Sequence, residues 1–432
     1  MSGEAHNERT PCPESGTAAI HRRGGELWCE DVALAELAAR FGTPLYVYSA
    51  ATIAERVANL RRAFGDEARI CYAVKANPNL TLLRRLHGHG VSFDLVSGGE
   101  LQRLQAAGLP TGGAVFAGVG KAPWEIEAAV RASILFFNVE SEHELPLLAA
   151  AGEAAATPVS VALRLNPDVD AGTHAYITTG KKQNKFGVGL DRAAAIVAAI
   201  AADPWLSLRG YHVHLGSQLR SAAPYLEAFE NVARFVDADP ERARGVTHYD
   251  LGGGFGIAYG DGEPLDVAAV AGALLPRLRE RGWVPVLEPG RYLVGDAGLL
   301  LTRVAGNKTQ GGTSFALVDA AMTELMRPAL YQAEHPMAPV RPRSGPSQRV
   351  DVVGPVCETG DFLARNRPLP PLERGDLLAV FSAGAYGSAM ASNYNSRCRP
   401  AEVLVDGARV ELVRRRETIA QLYANEVDLD EV

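Results

Sequence analysis

Between residues 45 and 292 the chain alternates two hydrophobic rhythms. Short β-branched and aromatic runs come first. Ala-, Leu-, Glu- and Arg-rich stretches follow, with apolar positions three and four apart. The first rhythm predicts buried strands and the second predicts helices with one apolar face. The expected strands are RICYAV (69–74), VSFDLV (91–96), GAVFAG (113–118), ILFFNV (134–139), VSVALRLN (159–166), GYHVHLG (210–216), THYDLGG (247–253) and VPVLEPG (284–290). Helical stretches between them include SGGELQRLQAAG (97–108), ESEHELPLLAAAG (140–152) and DRAAAIVAAIAAD (191–203). Eight β–α units over roughly 250 residues predict a (β/α)8 TIM-like barrel. A doubly wound open sheet is the alternative, and it normally shows fewer strands before its switch point.

After about residue 293 the pattern changes. Gly, Pro and short apolar runs dominate: FALVDA (315–320), RVDVVGP (349–355), DLLAVFS (376–382), AEVLVDG (401–407) and ARVELVRR (408–415). These predict a C-terminal β-rich domain, a β-barrel or sandwich. LYVYS (45–49) also reads as a strand. The expected boundaries are a flexible tail over 1–24, the barrel over 45–292, and the β-rich domain from 25–44 with 293–432.

Composition narrows the classes. The 432 residues fit two or three domains, and 47% apolar with 22% charged residues is globular usage. A net charge of -7 with scattered basic residues argues against a nucleic-acid partner. Cysteines at 12, 29, 71, 357 and 398 are odd in number and form no CxxC. They argue against a disulfide framework or a zinc site and fit a reducing, cytoplasmic compartment. The first residues, MSGEAHNERTPCPESG, lack the apolar segment of a signal peptide, and no run of about 18 apolar residues predicts a membrane span.

In a barrel of this kind, chemistry gathers at the C-terminal ends of the strands. Lys75 ends the first strand, where partial desolvation favours a nucleophilic amine for Schiff-base chemistry; a snorkelling lysine is the plainer alternative. His212 and His214 alternate on one face at the sixth strand, fit to stack on a flat ring or to sit in the core, and no carboxylate or cysteine spacing supports a metal. Gly252, Gly253, Gly254 and Gly256 follow the seventh strand, where backbone N–H groups can cradle an anion or merely make a tight turn. Glu288, Gly290 and Arg291 end the eighth in EPGR: a carboxylate for a pyridinium nitrogen and a guanidinium for a phosphate, or a local ion pair. Cys357, Glu358 and Asp361 (in CETGD) and Tyr386 (in GAYG) lie in the second domain. Together these supply a Schiff-base lysine, a phosphate cradle, an acid for a ring nitrogen and a flat histidine. That is the set pyridoxal 5'-phosphate requires.

YAVKAN, HLGSQ, GGGFG and EPGR resemble fold type III pyridoxal-phosphate decarboxylases of the ornithine/arginine/diaminopimelate group. THAYITTGKKQNKFGV (173–188), MRPALYQAEHP (326–336), CETGDF and GAYG with SNYNSR resemble its diaminopimelate branch. The resemblance spans nearly the whole chain. It implies an alanine-racemase-like architecture and a homodimer with active sites shared across the interface. It implies that Lys75 carries the cofactor, that His214 stacks on its ring and that Glu288 meets the ring nitrogen. Ser217, Gly252–Gly254, Gly290 and Arg291 would hold the cofactor, with help from Tyr386. Arg291, Arg327, Tyr331, Glu358 and Tyr386 would contact a diamino-acid substrate. Cys357 would donate the proton, from the neighbouring subunit. The implied reaction is loss of CO2 from meso-diaminopimelate to give L-lysine. Rival readings are a decarboxylase of ornithine, arginine or a carrier-bound amino acid, a racemase on the same barrel, and a regulatory homologue without the chemistry. The departures are Cys398, where proline is usual, and Ser382, where an acid is.

Overall fold

The computed structural model describes residues 9–169, 186–260 and 262–427. Eight parallel strands close a barrel: β1 (Arg69–Ala73), β2 (Ser92–Leu95), β3 (Val115–Phe116), β4 (Phe136–Val139), β5 (Val159–Asn166), β6 (Leu206–His212), β7 (His248–Asp250) and β8 (Val284–Leu287). Each pairs with the next, and β8 pairs with β1, which rules out the open sheet. All eight expected strands form. The sixth starts earlier and stops at His212, so His214 stands in the loop beyond it.

Period-two alternation explains the barrel interior. Cys71, Val115, Phe136, Ala162 and Val286 form an apolar inner layer. Two residues further along three of these strands come Asn138, Arg164 and Glu288. Asp94, His212 and Asp250 stand at the matching ends of β2, β6 and β7, and all six are buried. The same alternation that fills the bottom of the barrel with apolar groups thus builds a polar layer above it. Helices such as Gly98–Ala106 and Leu190–Ala202 cover the outside with Leu101, Leu104, Ile196 and Ile200.

The compact barrel unit comprises Ala54–Ile257 and Glu263–Leu293. The expected start at 45 is therefore too early. Strand Leu45–Ser49 pairs with β9 (Gly298–Gln310) and with strand Ala401–Asp406. Leu45 and Val47 enter a second core with Leu299, Leu301, Phe381 and Val403.

That second unit is built on a mixed sheet ordered Phe362–Leu369, Gln348–Val353, Thr313–Val318, β9, Leu45–Ser49, Ala401–Asp406, Arg409–Arg414. The flexible tail expected over 1–24 is also corrected for the residues described. Arg9–Pro11 pairs with Ile20–Arg23, which pairs with Glu26–Cys29. Cys12 and Ile20 anchor this ribbon in the same core. No described helix is long and apolar enough to cross a membrane. Of the segment 173–188, only 186–188 fall within the described residues.

Candidate cofactor site at the barrel mouth

Lys75 follows β1 in a single 3-10 turn, Val74–Ala76. Its Nζ lies 3.3 Å from Oδ2 of Asp94 at the end of β2. The lysine side chain keeps 40% of its exposure, so the amine is less desolvated than the strand pattern predicts.

The glycines after β7 bring backbone close to backbone. A Cβ on Gly252, Gly253 or Gly254 would run into the carbonyl oxygens of Val213, Glu288 and Gly216 respectively. Gly252 and Gly254 also hold φ of +68° and +90°, a left-handed conformation costly for other residues. The tight turn therefore accounts for these glycines by itself. Its close approach draws the ends of β6, β7 and β8 together.

His214 accepts the Gly253 N–H at Nδ1 over 3.1 Å. The ring proton then sits on Nε2. Burial, then the charges of Arg164 and Lys75, hold this imidazole well below the usual histidine range. It presents a neutral, flat face. Arg291 donates from Nη2 to Ser217 Oγ at 3.0 Å, pairing two groups fit for an anion.

Glu288 sits at the floor of this region. Asn138 Nδ2 donates to its Oε1 at 3.0 Å, and His212 Nε2 lies 3.3 Å from Oε2. Burial pushes both Glu288 and Asp250 above the usual carboxylate range. The charge of Glu288 pushes Asp250 further. Asp250 rises the further of the two. Gly252 N–H donates to Asp250 Oδ1 at 2.9 Å. Burial and the charges of Arg164 and Lys75 keep His212 neutral. The charges of Lys75 and Arg164 oppose the rise at Glu288 and favour its ionised form.

Among the described residues His212, Asp250 and Glu288 place ligand atoms within 4.8 Å of one another, a grouping the sequence spacing did not reveal. The bonds from Asn138 Nδ2 to Glu288 and from Gly252 N–H to Asp250 already occupy oxygens of that corner. The donor set suits an aldehyde cofactor with a protonated ring nitrogen: an accessible amine, a buried carboxyl, a neutral flat ring and a glycine bend. Buried, unpartnered Asp94 Oδ1 and Asn138 Oδ1 add acceptors in the same layer.

The second unit holds the remaining predicted residues. Arg327 opens the short helix Arg327–Tyr331 and is buried. Its Nη1 donates to Tyr259 Oη and His335 Nε2, each at 2.8 Å. His335 Nδ1 donates to the Phe381 carbonyl at 2.9 Å, which fixes Nε2 as the acceptor. Cys357 and Glu358 are exposed. Asp361 is a loop anchor, accepting Met322 N at 2.6 Å and Val356 N at 2.7 Å. Tyr386 adopts φ of 56° in a glycine-flanked loop, and Ser382, at φ 53°, donates to Asp296 Oδ1 at 2.9 Å.

Asp94, Asn138, Arg164 and Asp250 went unremarked in the sequence. Their signal was there: a lone polar residue closing an apolar strand.

This geometry defines a class, the barrel-type pyridoxal-phosphate enzymes, and residues 50–295 match the family described as pyridoxal-dependent decarboxylase, pyridoxal binding domain. Diaminopimelate decarboxylase of Vibrio cholerae is 46% identical over 95% of this chain and 99% of its own. That of Pseudomonas fluorescens is 48% identical over 96% and 100%. The crystal structure of "Diaminopimelate Decarboxylase from m. jannaschii in co-complex with L-lysine" superposes with a TM-score of 0.91 at 35% identity, covering 96% of this chain and 99% of that one. A complex of SrLDC with PLP and cadaverine superposes at 0.76 with 28% identity, covering 86% and 92%. The chain belongs to the diaminopimelate decarboxylase family.

Proposed function

We infer that this protein is a pyridoxal-phosphate-dependent carboxy-lyase that converts meso-diaminopimelate to L-lysine and CO2. The observation that carries the reading is Glu288, held by Asn138 and His212 in the same polar layer as the Lys75–Asp94 pair. Lys75 holds the cofactor covalently. Gly252, Gly253, Gly254, Ser217, Gly290 and Arg291 hold its phosphate end, with Tyr386. His214 offers its flat face to the ring, and Glu288 accepts the ring N–H through a charge-assisted hydrogen bond. Bound there, the cofactor supplies an electron sink for the charge left when CO2 departs.

Arg327 reads the distal carboxylate of the substrate and Glu358 its distal amine, with Arg291, Tyr331 and Tyr386 as further contacts. A substrate lacking the distal carboxylate forgoes a charge-assisted contact with that guanidinium. Cys357 delivers a proton to the substrate Cα from the partner of a homodimer. Five free cysteines fit a reducing, cytoplasmic setting.

The test is product analysis after incubation of the cofactor-loaded protein with meso-diaminopimelate, ornithine and arginine in parallel. Lysine and CO2 from the first alone are expected. Faster turnover of ornithine or arginine would overturn the substrate assignment. Borohydride reduction followed by peptide mapping should place the cofactor on Lys75; label on another peptide would overturn that role.

A further inference from the structure

Lys121 is a lysine whose side chain is 1% exposed. Its ammonium donates to the carbonyl oxygens of Gly118 and Asn138, each at 2.8 Å, and to Glu144 Oε2 at 2.6 Å. Three donors meet three acceptors, so the group is fully satisfied. Glu144 Oε1 accepts the Glu140 N–H at 3.0 Å. Glu140 in turn takes Arg164 Nη1 at 2.8 Å on each oxygen and the Gly118 N–H at 2.9 Å. One ammonium thus ties the loop after β3 to the end of β4. The residue it grips by the backbone, Asn138, is the one whose side chain holds Glu288.

A buried ion pair seldom out-stabilises an apolar pair of similar volume, because desolvation offsets the attraction. Fold stability alone therefore gives little reason for this charge. What three hydrogen bonds on one nitrogen do give is direction. They fix where β4 ends and so where the Asn138 amide points.

We propose that Lys121, braced by Glu144, is a positioning residue for the decarboxylation, setting Asn138 so that its amide holds Glu288 in register with the cofactor ring nitrogen. This rests on the functional reading above.

The test uses the full-length protein. Lys121→Met keeps the length and removes the ammonium. We expect kcat to fall about tenfold or more with KM for meso-diaminopimelate within about twofold, since the interaction serves the reacting centre rather than substrate binding. The apoprotein's dissociation constant for pyridoxal phosphate, read by fluorescence, should rise about tenfold. Asn138→Ala should do the same, and the double variant should lose no more than either single one. Additive losses would overturn the proposal. So would a Lys121→Met protein with wild-type kcat and cofactor affinity but a lowered Tm.

If Lys121→Met does not fold, Glu144→Gln keeps the volume and an oxygen acceptor. It should show a smaller loss of kcat at constant KM, again non-additive with Asn138→Ala; unchanged kcat would overturn the proposal. A wild-type protein that neither binds the cofactor nor releases CO2 overturns both readings. An active wild type with an indifferent Lys121→Met overturns this one alone.

Discussion

Nζ of Lys75 stands 3.3 Å from Oδ2 of Asp94, and the two differ sharply in exposure: 40% for the lysine side chain, none for the aspartate. Burial, then the nearby charge of Glu288, pushes the Asp94 carboxyl up to about 7, against the opposing pull of Lys75. An unfolded aspartate titrates near pH 4. The folded protein therefore keeps a proton that the unfolded chain has released. The stability this contributes is complete below about pH 4 and is lost as pH rises to about 7.

Asp94→Asn removes that loss. Its apoprotein should gain on wild type between pH 4 and 7, by on the order of 4 kcal/mol, and hold the gain above. Thermal melts of both proteins across this range read the difference. A gap that stays constant with pH would mean that Asp94 is ionised throughout.

Gly253→Ala tests whether the glycine bend is a packing necessity as well as an anion cradle. The new Cβ runs into the carbonyl oxygen of Glu288, a backbone atom held in place by the barrel. Overpacking of this kind costs about 1–3 kcal/mol. A Tm drop and an approximately tenfold weaker hold on pyridoxal phosphate are expected together, the latter being about 1.4 kcal/mol. Gly272→Ala is the control. It lies in helix Val267–Glu280 with nothing within 4 Å of the added Cβ. It should leave cofactor binding alone and raise Tm slightly, by up to about 1 kcal/mol in stability. Equal effects from the two substitutions would detach the bend from both roles.

The eight barrel strands were legible because a buried parallel strand writes a dense apolar run bounded by Gly, Pro or Asn, and each run here is local. Lys75, Glu288 and Gly252–Gly254 were legible because they end such runs. Asn138 and Asp250 carried the same mark, but their weight depends on Glu288, which lies far along the chain. Lys121 carried none: it sits in a loop, and its three acceptors are two carbonyls and a carboxylate that only the closed barrel gathers. The strand Leu45–Ser49 was recognised, yet its sheet was not, because its partners begin at Gly298 and Ala401. Residues 9–23 were misjudged because Cys12 and Ile20, two isolated apolar positions, leave too little pattern to show that they are anchored.

Arg327 offers a discriminating test of substrate choice. Tyr259 and His335 hold its guanidinium in a fixed direction. Arg327→Ala removes the partner for a distal carboxylate, an interaction of about 1.5–3 kcal/mol when charge-assisted. It should cut kcat/KM for meso-diaminopimelate at least tenfold, while inhibition by cadaverine, which carries no carboxylate, changes far less. Inhibition constants and steady-state kinetics on one preparation settle it. Equal losses for both ligands would remove the guanidinium from the distal site. His335→Gln is a milder companion, since it disturbs the orientation of Arg327 without deleting the charge.

The last prediction concerns the assembly. Cys357 lies exposed in a turn that Asp361 fastens through Met322 N and Val356 N, and Asn395 Oδ1 accepts the Cys357 N–H at 2.9 Å. An exposed thiol on a fixed turn is what the shared-site proposal requires. If each active site takes Lys75 from one chain and Cys357 from the other, then Lys75→Ala and Cys357→Ala proteins are each inactive alone. Mixed after dissociation and reassociation, half of the dimers are hybrids. Each hybrid has one site with both groups intact and one with neither, so about one quarter of wild-type activity should return. If both groups belong to one chain, no intact site can form and no activity returns. Native mass spectrometry of the mixture establishes that hybrids are present, which makes a silent mixture decisive against sharing.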